Sequence, residues 1–114
     1  MLSENDVVAR VEGATIERLH AWVGHGWVKP IVRDNSPGFT DADVARITLI
    51  CDLHDRMGLD QETVPIVLNL VDQIHGLRRE LKCLATAIDE QPNEVRATLR
   101  ARVEHLAIRW RVRK

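Results

Sequence analysis

One long apolar repeat constrains the fold of this chain more than any other feature. In the second half of the sequence, apolar residues recur at alternating spacings of three and four over three heptads. Such spacing aligns residues along one side of a helix, as at the a and d positions of a coiled coil. The residues of this heptad seam are Val67, Leu70, Ile74, Leu77, Leu81, Leu84 and Ile88. A seam of this length needs another helix to cover it.

The covering helix has two potential sources. A break at Pro92 and a cap at Asn93 predict a last helix, which carries an apolar stripe of its own. That stripe consists of Val95, Leu99, Val103, Leu106 and Trp110. In a homodimer, the seam from Leu70 to Ile88 pairs with its copy, and the last helix joins the same bundle. In an intrachain hairpin, the last helix covers the seam instead. We favour the dimer, and the sequence leaves both arrangements open.

The first half of the chain carries the signals of shorter helices. Ser3 and Asp6 have the spacing of a capping box, which satisfies free N–H groups at a helix start. Thr15 is a favourable cap for a second helix, which Gly24 and Gly26 end. The stretch that follows, WVKPIVRDNSPGF, contains prolines among β-branched residues. It therefore predicts a turn or a small two-stranded wing.

A third helix follows the wing. Thr40 and Asp43 form a second capping box, and the helix behind them is predicted to run to about Met57. Its apolar residues lie on several sides, which is typical of a central, mostly buried helix. Thr63 then starts the heptad helix, because Pro65 would lie in the first turn, where a missing N–H costs little.

The order of these elements resembles the MerR-like winged helix-turn-helix domain. In that family the second helix follows a glycine, and a second glycine with apolar residues and a proline comes thirteen residues later. The matching residues are Gly13, Gly26, Trp27, Val28 and Pro30. The resemblance implies a mostly α fold. Residues 1–62 would form the winged helix-turn-helix region, and residues 63–114 a helical dimerisation region with a long heptad helix and a basic C-terminal helix.

A shorter branch of the family is more similar still. The segments FTDADVARITLICDLHDRMGLD and VDQIHGLRREL resemble those of CbpM-like chaperone-modulatory proteins, within a similarity that covers about residues 3 to 85. The resemblance implies that the protein binds the J-domain of a DnaJ- or CbpA-like co-chaperone and inhibits it. The chain after Ile88 is longer than this branch leads us to expect.

Charge is unevenly distributed along the chain. Between Asp34 and Glu62 seven acidic residues accompany two arginines, whereas from Arg96 onward seven basic residues accompany one glutamate. J-domains engage Hsp70 through a basic helix, so an acidic surface would complement them and speed association. The candidate partner-binding residues of this acidic face are Asp41, Asp43, Asp52, Asp55 and Asp60.

DNA binding is the alternative function. MerR-like regulators hold phosphates with basic residues on the second helix and the wing, but here His20 occupies the arginine position of the helix. The remaining candidates for nucleic-acid contact are Arg18, His20, Lys29 and Arg33. They are fewer than the roughly 6–10 phosphate contacts of a typical specific binder. A transcriptional regulator of this kind would need the arginine-rich tail to replace the missing contacts.

The sequence gives little support to catalysis or to a cofactor. It contains no glycine-rich phosphate loop and no nucleophile with an evident base, so we expect a binding protein without catalytic residues. Cys51 and His54 lie one helical turn apart, but core packing explains Cys51 and Cys83 better than a metal site does. Without a long apolar run or a secretory leader, the chain is expected to be cytoplasmic.

Overall fold

The computed structural model describes residues 1–112 of the chain. Within them, five α-helices, one π-helical segment and a two-stranded antiparallel sheet follow one another. The elements are α1 (Glu4–Arg10), α2 (Ile16–Gly24), β1 (Ile31–Arg33), β2 (Ser36–Gly38), α3 (Asp41–Cys51), the π segment (Asp52–Arg56), α4 (Val64–Asp89) and α5 (Asn93–Val112). This is the predicted mostly α fold, with a winged helix-turn-helix followed by a long helix and a C-terminal helix.

Side-chain caps set the starts of the first three helices. Ser3 and Thr40 each close a complete capping box, with Asp6 and Asp43 as the reciprocal partners. Thr15 caps α2 by accepting a hydrogen bond from the Arg18 N–H. All three predicted caps are therefore confirmed. Each satisfies an N–H group that has no partner inside the helix.

The third helix ends close to its predicted end at about Met57. Its last turn is the π segment, after which Met57 and Gly58 end it. A π turn widens the helix by one residue and often occurs at functional sites. Asp60 then organises the turn into α4, because its carboxylate accepts hydrogen bonds from the Glu62 and Thr63 N–H groups.

The wing is a short β-hairpin. Ile31 pairs with Gly38 and Arg33 with Ser36, so two residues, Asp34 and Asn35, make the turn. Both have positive φ values, of 51° and 62°, as the favoured two-residue hairpin turn requires. Asp and Asn tolerate this conformation better than most other residues do.

The first compact unit, Met1–Val71, contains the hydrophobic core. Phe39, Leu19, Ile47 and Ile50 are among its largest fully buried side chains. Its remaining buried members are Val7, Val11, Ala14, Trp22, Val28, Cys51, Leu53, Val64 and Leu68. These residues come from all three short helices, the segments on either side of the wing, the π segment and the start of α4. Helix α3 buries only Ile47, Ile50 and Cys51, so it contributes one face to the core and is not mostly buried as its pattern predicted.

The second unit begins at Asp72 and comprises the rest of α4 and α5. Between Asp72 and Arg111 no residue is buried. Cys83 is exposed, so the expectation that both cysteines pack in a core is confirmed for Cys51 and wrong for Cys83. Among the described residues, no helix combines the length and the apolar character needed to cross a membrane. Arg113 and Lys114 of the predicted basic tail lie outside the described residues.

Candidate protein-interaction site

Arg18, on the second helix, is held by two neighbouring segments. Its guanidinium donates two hydrogen bonds to the Asp55 carboxylate, at 2.9 and 2.8 Å, and a third of 2.8 Å to the Gly13 carbonyl. It also lies 5.9 Å from the centre of the Trp22 ring. Gly13 has a φ of +92°, a conformation that favours glycine, and this turn brings its carbonyl to the arginine.

This pairing shifts the pKa of both groups in the direction that favours their charged forms. The hydrogen bond to Asp55 raises the pKa of Arg18, and the hydrogen bonds from Arg18 lower the pKa of Asp55 below its ordinary value. Arg18 was a candidate for phosphate contact, and Asp55 a candidate for contact with a basic partner. Each therefore has a partner within the chain, and the two predicted roles stay predictions.

His20 is paired in a similar way. Its Nε2 lies 3.0 and 3.1 Å from the two carboxylate oxygens of Glu4, so α1 places an acid against the middle of α2. Two of the four predicted nucleic-acid contacts, Arg18 and His20, are thus paired with carboxylates. Lys29 and Arg33 are exposed, and the described residues provide neither with an ion-pair partner. The second helix therefore presents little free positive charge.

The five predicted partner-binding acids have different roles. Asp43 belongs to the α3 capping box. Asp60 caps the turn before α4, and its hydrogen bonds to Thr63 and Glu62 lower its pKa. Like Asp55, both accept hydrogen bonds from other residues of the chain. Asp41 is exposed, and Asp52 is half-buried with Arg56 at 3.6 Å. Asp41 and Asp52 are therefore the two acids best placed to meet a partner.

Asp41 and Asp52 lie on one side of α3. Eleven residues separate them, which at 3.6 residues per turn puts them about 20° apart around the axis and about 16 Å apart along it. Ala45 and Thr48 lie between them and are exposed. We call these four residues the outer face of α3. Small side chains flanked by carboxylates allow a basic helix to approach closely.

An open groove of about 470 Å³ borders this face. It lies between the α1–α2 turn and the segment from Thr48 to Arg56, and its charged lining is mixed: Glu12, Asp52 and Asp55 beside Arg10 and Arg56. Glu12 is exposed and adds a third carboxylate to the outer face. The acidic stretch that the sequence predicts starts at Asp34 and does not include Glu12, since only the turn at Gly13 brings Glu12 beside α3.

The heptad seam is a second exposed surface. Its central residues, from Leu70 to Leu84, are 50–64% exposed, and Ile88 is half-buried. The stripe on α5 is 37–68% exposed. The hairpin arrangement predicted that α5 covers the seam, and the structure does not form this contact. Nothing in the described part of the chain covers either apolar surface.

Comparison with known protein families decides the class of the chain. Residues 6–86 match the model of the MerR HTH family of regulatory proteins, which is more than half of the sequence. The chain belongs to this family. This MerR-family assignment confirms the broader resemblance seen in the sequence, and α5 lies outside the matched residues. Curated proteins and solved structures gave no match.

Proposed function

We propose that this MerR-family protein binds the J-domain of a DnaJ- or CbpA-like co-chaperone and inhibits it. The observation that carries the proposal is the pairing of Arg18 with Asp55 and of His20 with Glu4. These contacts occupy Arg18 and His20, two of the four side chains with which the helix-turn-helix would hold DNA. The outer face of α3 carries two carboxylates, Asp41 and Asp52, which favours a basic protein partner. The protein would act by binding, without catalysis.

The outer face of α3 would provide the contact. A basic helix laid across Ala45 and Thr48 can reach Asp41 at one end and Asp52 at the other, with Glu12 beside the second. Carboxylates at the rim of an interface mainly accelerate association and select the partner. Of the predicted acidic face, Asp43, Asp55 and Asp60 would then support the fold instead of touching the partner.

The first test removes charge from the outer face. We expect Asp41→Asn with Asp52→Asn to weaken binding to a purified J-domain about threefold to thirtyfold in titration calorimetry. Two solvent-exposed ion pairs contribute roughly 0.5–2 kcal/mol together, which corresponds to this range. The matched control is Asp34→Asn with Glu62→Gln, which removes the same charge from the wing turn and the turn before α4. Equal affinities of the two variants would contradict the proposed face.

Inhibition requires a separate readout. The protein should lower the Hsp70 ATPase rate that a J-domain stimulates, and the Asp41/Asp52 variant should need a higher concentration to do so. If the J-domain binds this protein and still stimulates Hsp70 fully, the protein binds the J-domain without inhibiting it.

We further propose that the protein acts as a homodimer through the heptad seam. The e and g positions beside the seam carry only two charges, Arg78 and Glu80, and their other residues are neutral. Two copies can therefore pair without strong repulsion, and pairing would cover the exposed leucines. The proposed contact uses residues of α4 and none of the outer face of α3.

A MerR-like DNA-binding regulator is the second candidate. The exposed Lys29 and Arg33 on the wing and the arginines of α5 favour it. It predicts an affinity for duplex DNA that falls steeply with salt, by a slope of about 0.9 per phosphate contacted. Deleting residues 96–114 should abolish that affinity in a mobility-shift assay. DNA binding that survives the deletion would exclude a role for the tail.

A further inference from the structure

Helix α5 carries a second, shorter coiled-coil seam. Leu99, Val103, Leu106 and Trp110 follow one another at spacings of 4, 3 and 4, which correspond to positions d, a, d and a. All four side chains are exposed, although a stripe of this kind is stable when another helix packs on it. We call these four residues the α5 seam. A narrow a/d stripe favours a helix as its partner over a flat surface.

The residues beside the α5 seam are almost all arginines. The g positions are Arg102 and Arg109, and the e positions are Arg100 and Ala107. Arg100 already holds a carboxylate, that of Asp89, at 2.5 Å. Among residues 1–112, Arg102 and Arg109 have no ion-pair partner. These arginines favour a partner helix with carboxylates at the positions that face them.

The α5 of a second copy does not match this charge pattern. In a parallel coiled coil a g residue faces the e residue of the next heptad, so Arg102 would face Ala107, and in an antiparallel one g faces g, so Arg102 would face Arg109. Neither arrangement pairs these arginines with a carboxylate. The heptad seam of α4 is a poor complement as well, because its flanks contain one glutamate, Glu80, against one arginine, Arg78. The two helices thus differ, since the flanks of α4 are largely neutral and those of α5 are basic.

We propose that the α5 seam is a docking site for an acidic amphipathic helix of another protein, with leucine-type residues at a and d and carboxylates at e and g. Apolar contacts would supply most of the affinity, and the three arginines would select acidic over basic helices. The site lies on α5, outside the residues that match the family, so it adds a contact that membership of the family does not bring. It uses none of the residues proposed to bind a J-domain, and each proposal can fail independently.

A charge-swap experiment on the full-length protein tests this docking site. The probes are two fluorescent 21-residue peptides of three heptads with leucine at a and d, one with glutamate and one with lysine at e and g. We expect the glutamate peptide to bind at least about tenfold more tightly than the lysine peptide in fluorescence anisotropy. Arg102→Glu with Arg109→Glu should invert that preference. The control, Arg79→Glu with Lys82→Glu, makes the same charge change on the outer side of α4 and should leave the preference intact.

Other occupants of the seam give different results, and each overturns the proposal. Equal binding of the two peptides would mean that the apolar stripe alone attracts any helix. No peptide binding, together with a loss of mass in light scattering for Leu99→Ala with Leu106→Ala, would mean that a second copy covers the seam. Binding of duplex DNA to the wild type, lost in the Arg102/Arg109 variant and without peptide binding, would mean a phosphate-binding helix. Circular dichroism confirms that each variant keeps its helix content.

Discussion

At the scale of single residues, the partner of a charged side chain decides what that side chain can do. Arg18 has the position and charge of a DNA contact, yet Asp55 and the Gly13 carbonyl take up its donors. Asp55 belongs to the π segment that follows α3, and this segment places its carboxylate beside Arg18. An arginine whose donors already bind a carboxylate forms weaker hydrogen bonds to a phosphate than a free arginine does. The contact with Asp55 would therefore weaken DNA binding by Arg18.

Gly13 tests the geometry of this contact. A Cβ at Gly13 would lie 3.0 Å from Asp55 Oδ2, and the φ of +92° is unfavourable for alanine. We expect Gly13→Ala to destabilise the fold by at least about 1–2 kcal/mol in urea unfolding. Gly24→Ala is the control, because nothing lies within 4 Å of its added Cβ and its φ is not positive. This control should be neutral or stabilise by up to about 1 kcal/mol. Equal losses for the two variants would mean that the turn at Gly13 does not depend on glycine.

The ion pair between Asp55 and Arg18 should make the stability of the fold depend on pH in the acidic range. Because Arg18 lowers the pKa of Asp55 in the folded state, its contribution is complete above the ordinary aspartate pKa, near pH 4. It is lost as the pH falls through the lower, folded value. Asp55→Asn should therefore reduce stability at pH 7 and lose less on acidification to pH 2.5 than the wild type does. Asp34→Asn, in the wing turn, is the control. Parallel pH profiles for wild type and Asp55→Asn would show that the pair contributes nothing.

At the scale of elements, the sequence predicted what depends on local chemistry. The caps at Ser3, Thr15 and Thr40 and the long heptad helix follow from neighbours within one or two turns, and the structure contains them. The pairing of Arg18 with Asp55 spans 37 residues, so it depends on tertiary packing that no local pattern records. The capping contacts of Asp43 and Asp60 did not enter the predicted acidic face, because composition does not distinguish a capping carboxylate from a free one.

The heptad seam gives the main prediction about an element. Leu77→Ala with Leu81→Ala should shift the protein from dimer to monomer in light scattering over a range of concentrations. Each covered leucine contributes roughly 2–5 kcal/mol, and both copies lose it. His75→Ala with Arg79→Ala changes the same stretch of α4 at the b and f positions, outside the seam, and should remain dimeric. If both variants keep the dimer mass, α4 does not form the interface.

At the scale of the whole molecule, the net charge of −1 results from an acidic stretch in the first half and a basic C-terminal helix. Charged and apolar surfaces respond differently to salt, because exposed charges are screened within about 10 Å at 0.1 M ionic strength. Burial of leucines is not screened in this way. The proposed J-domain contact and the proposed dimer contact can therefore be separated without any mutation.

Raising the salt from roughly 50 to 500 mM should weaken J-domain binding while the dimer mass stays constant. We expect most of the loss in the association rate, measured by stopped-flow fluorescence, because rim carboxylates act chiefly on encounter. The Asp41/Asp52 variant is the internal control, since with its outer-face charges removed its affinity should vary less with salt. If the dimer dissociates at high salt, charged residues and not leucines stabilise the contact between the two copies. If the affinity for the J-domain does not change with salt, the acidic face does not contribute to binding. Apolar surfaces, such as the exposed Ile31 and Val32 of the wing, would then provide the contact.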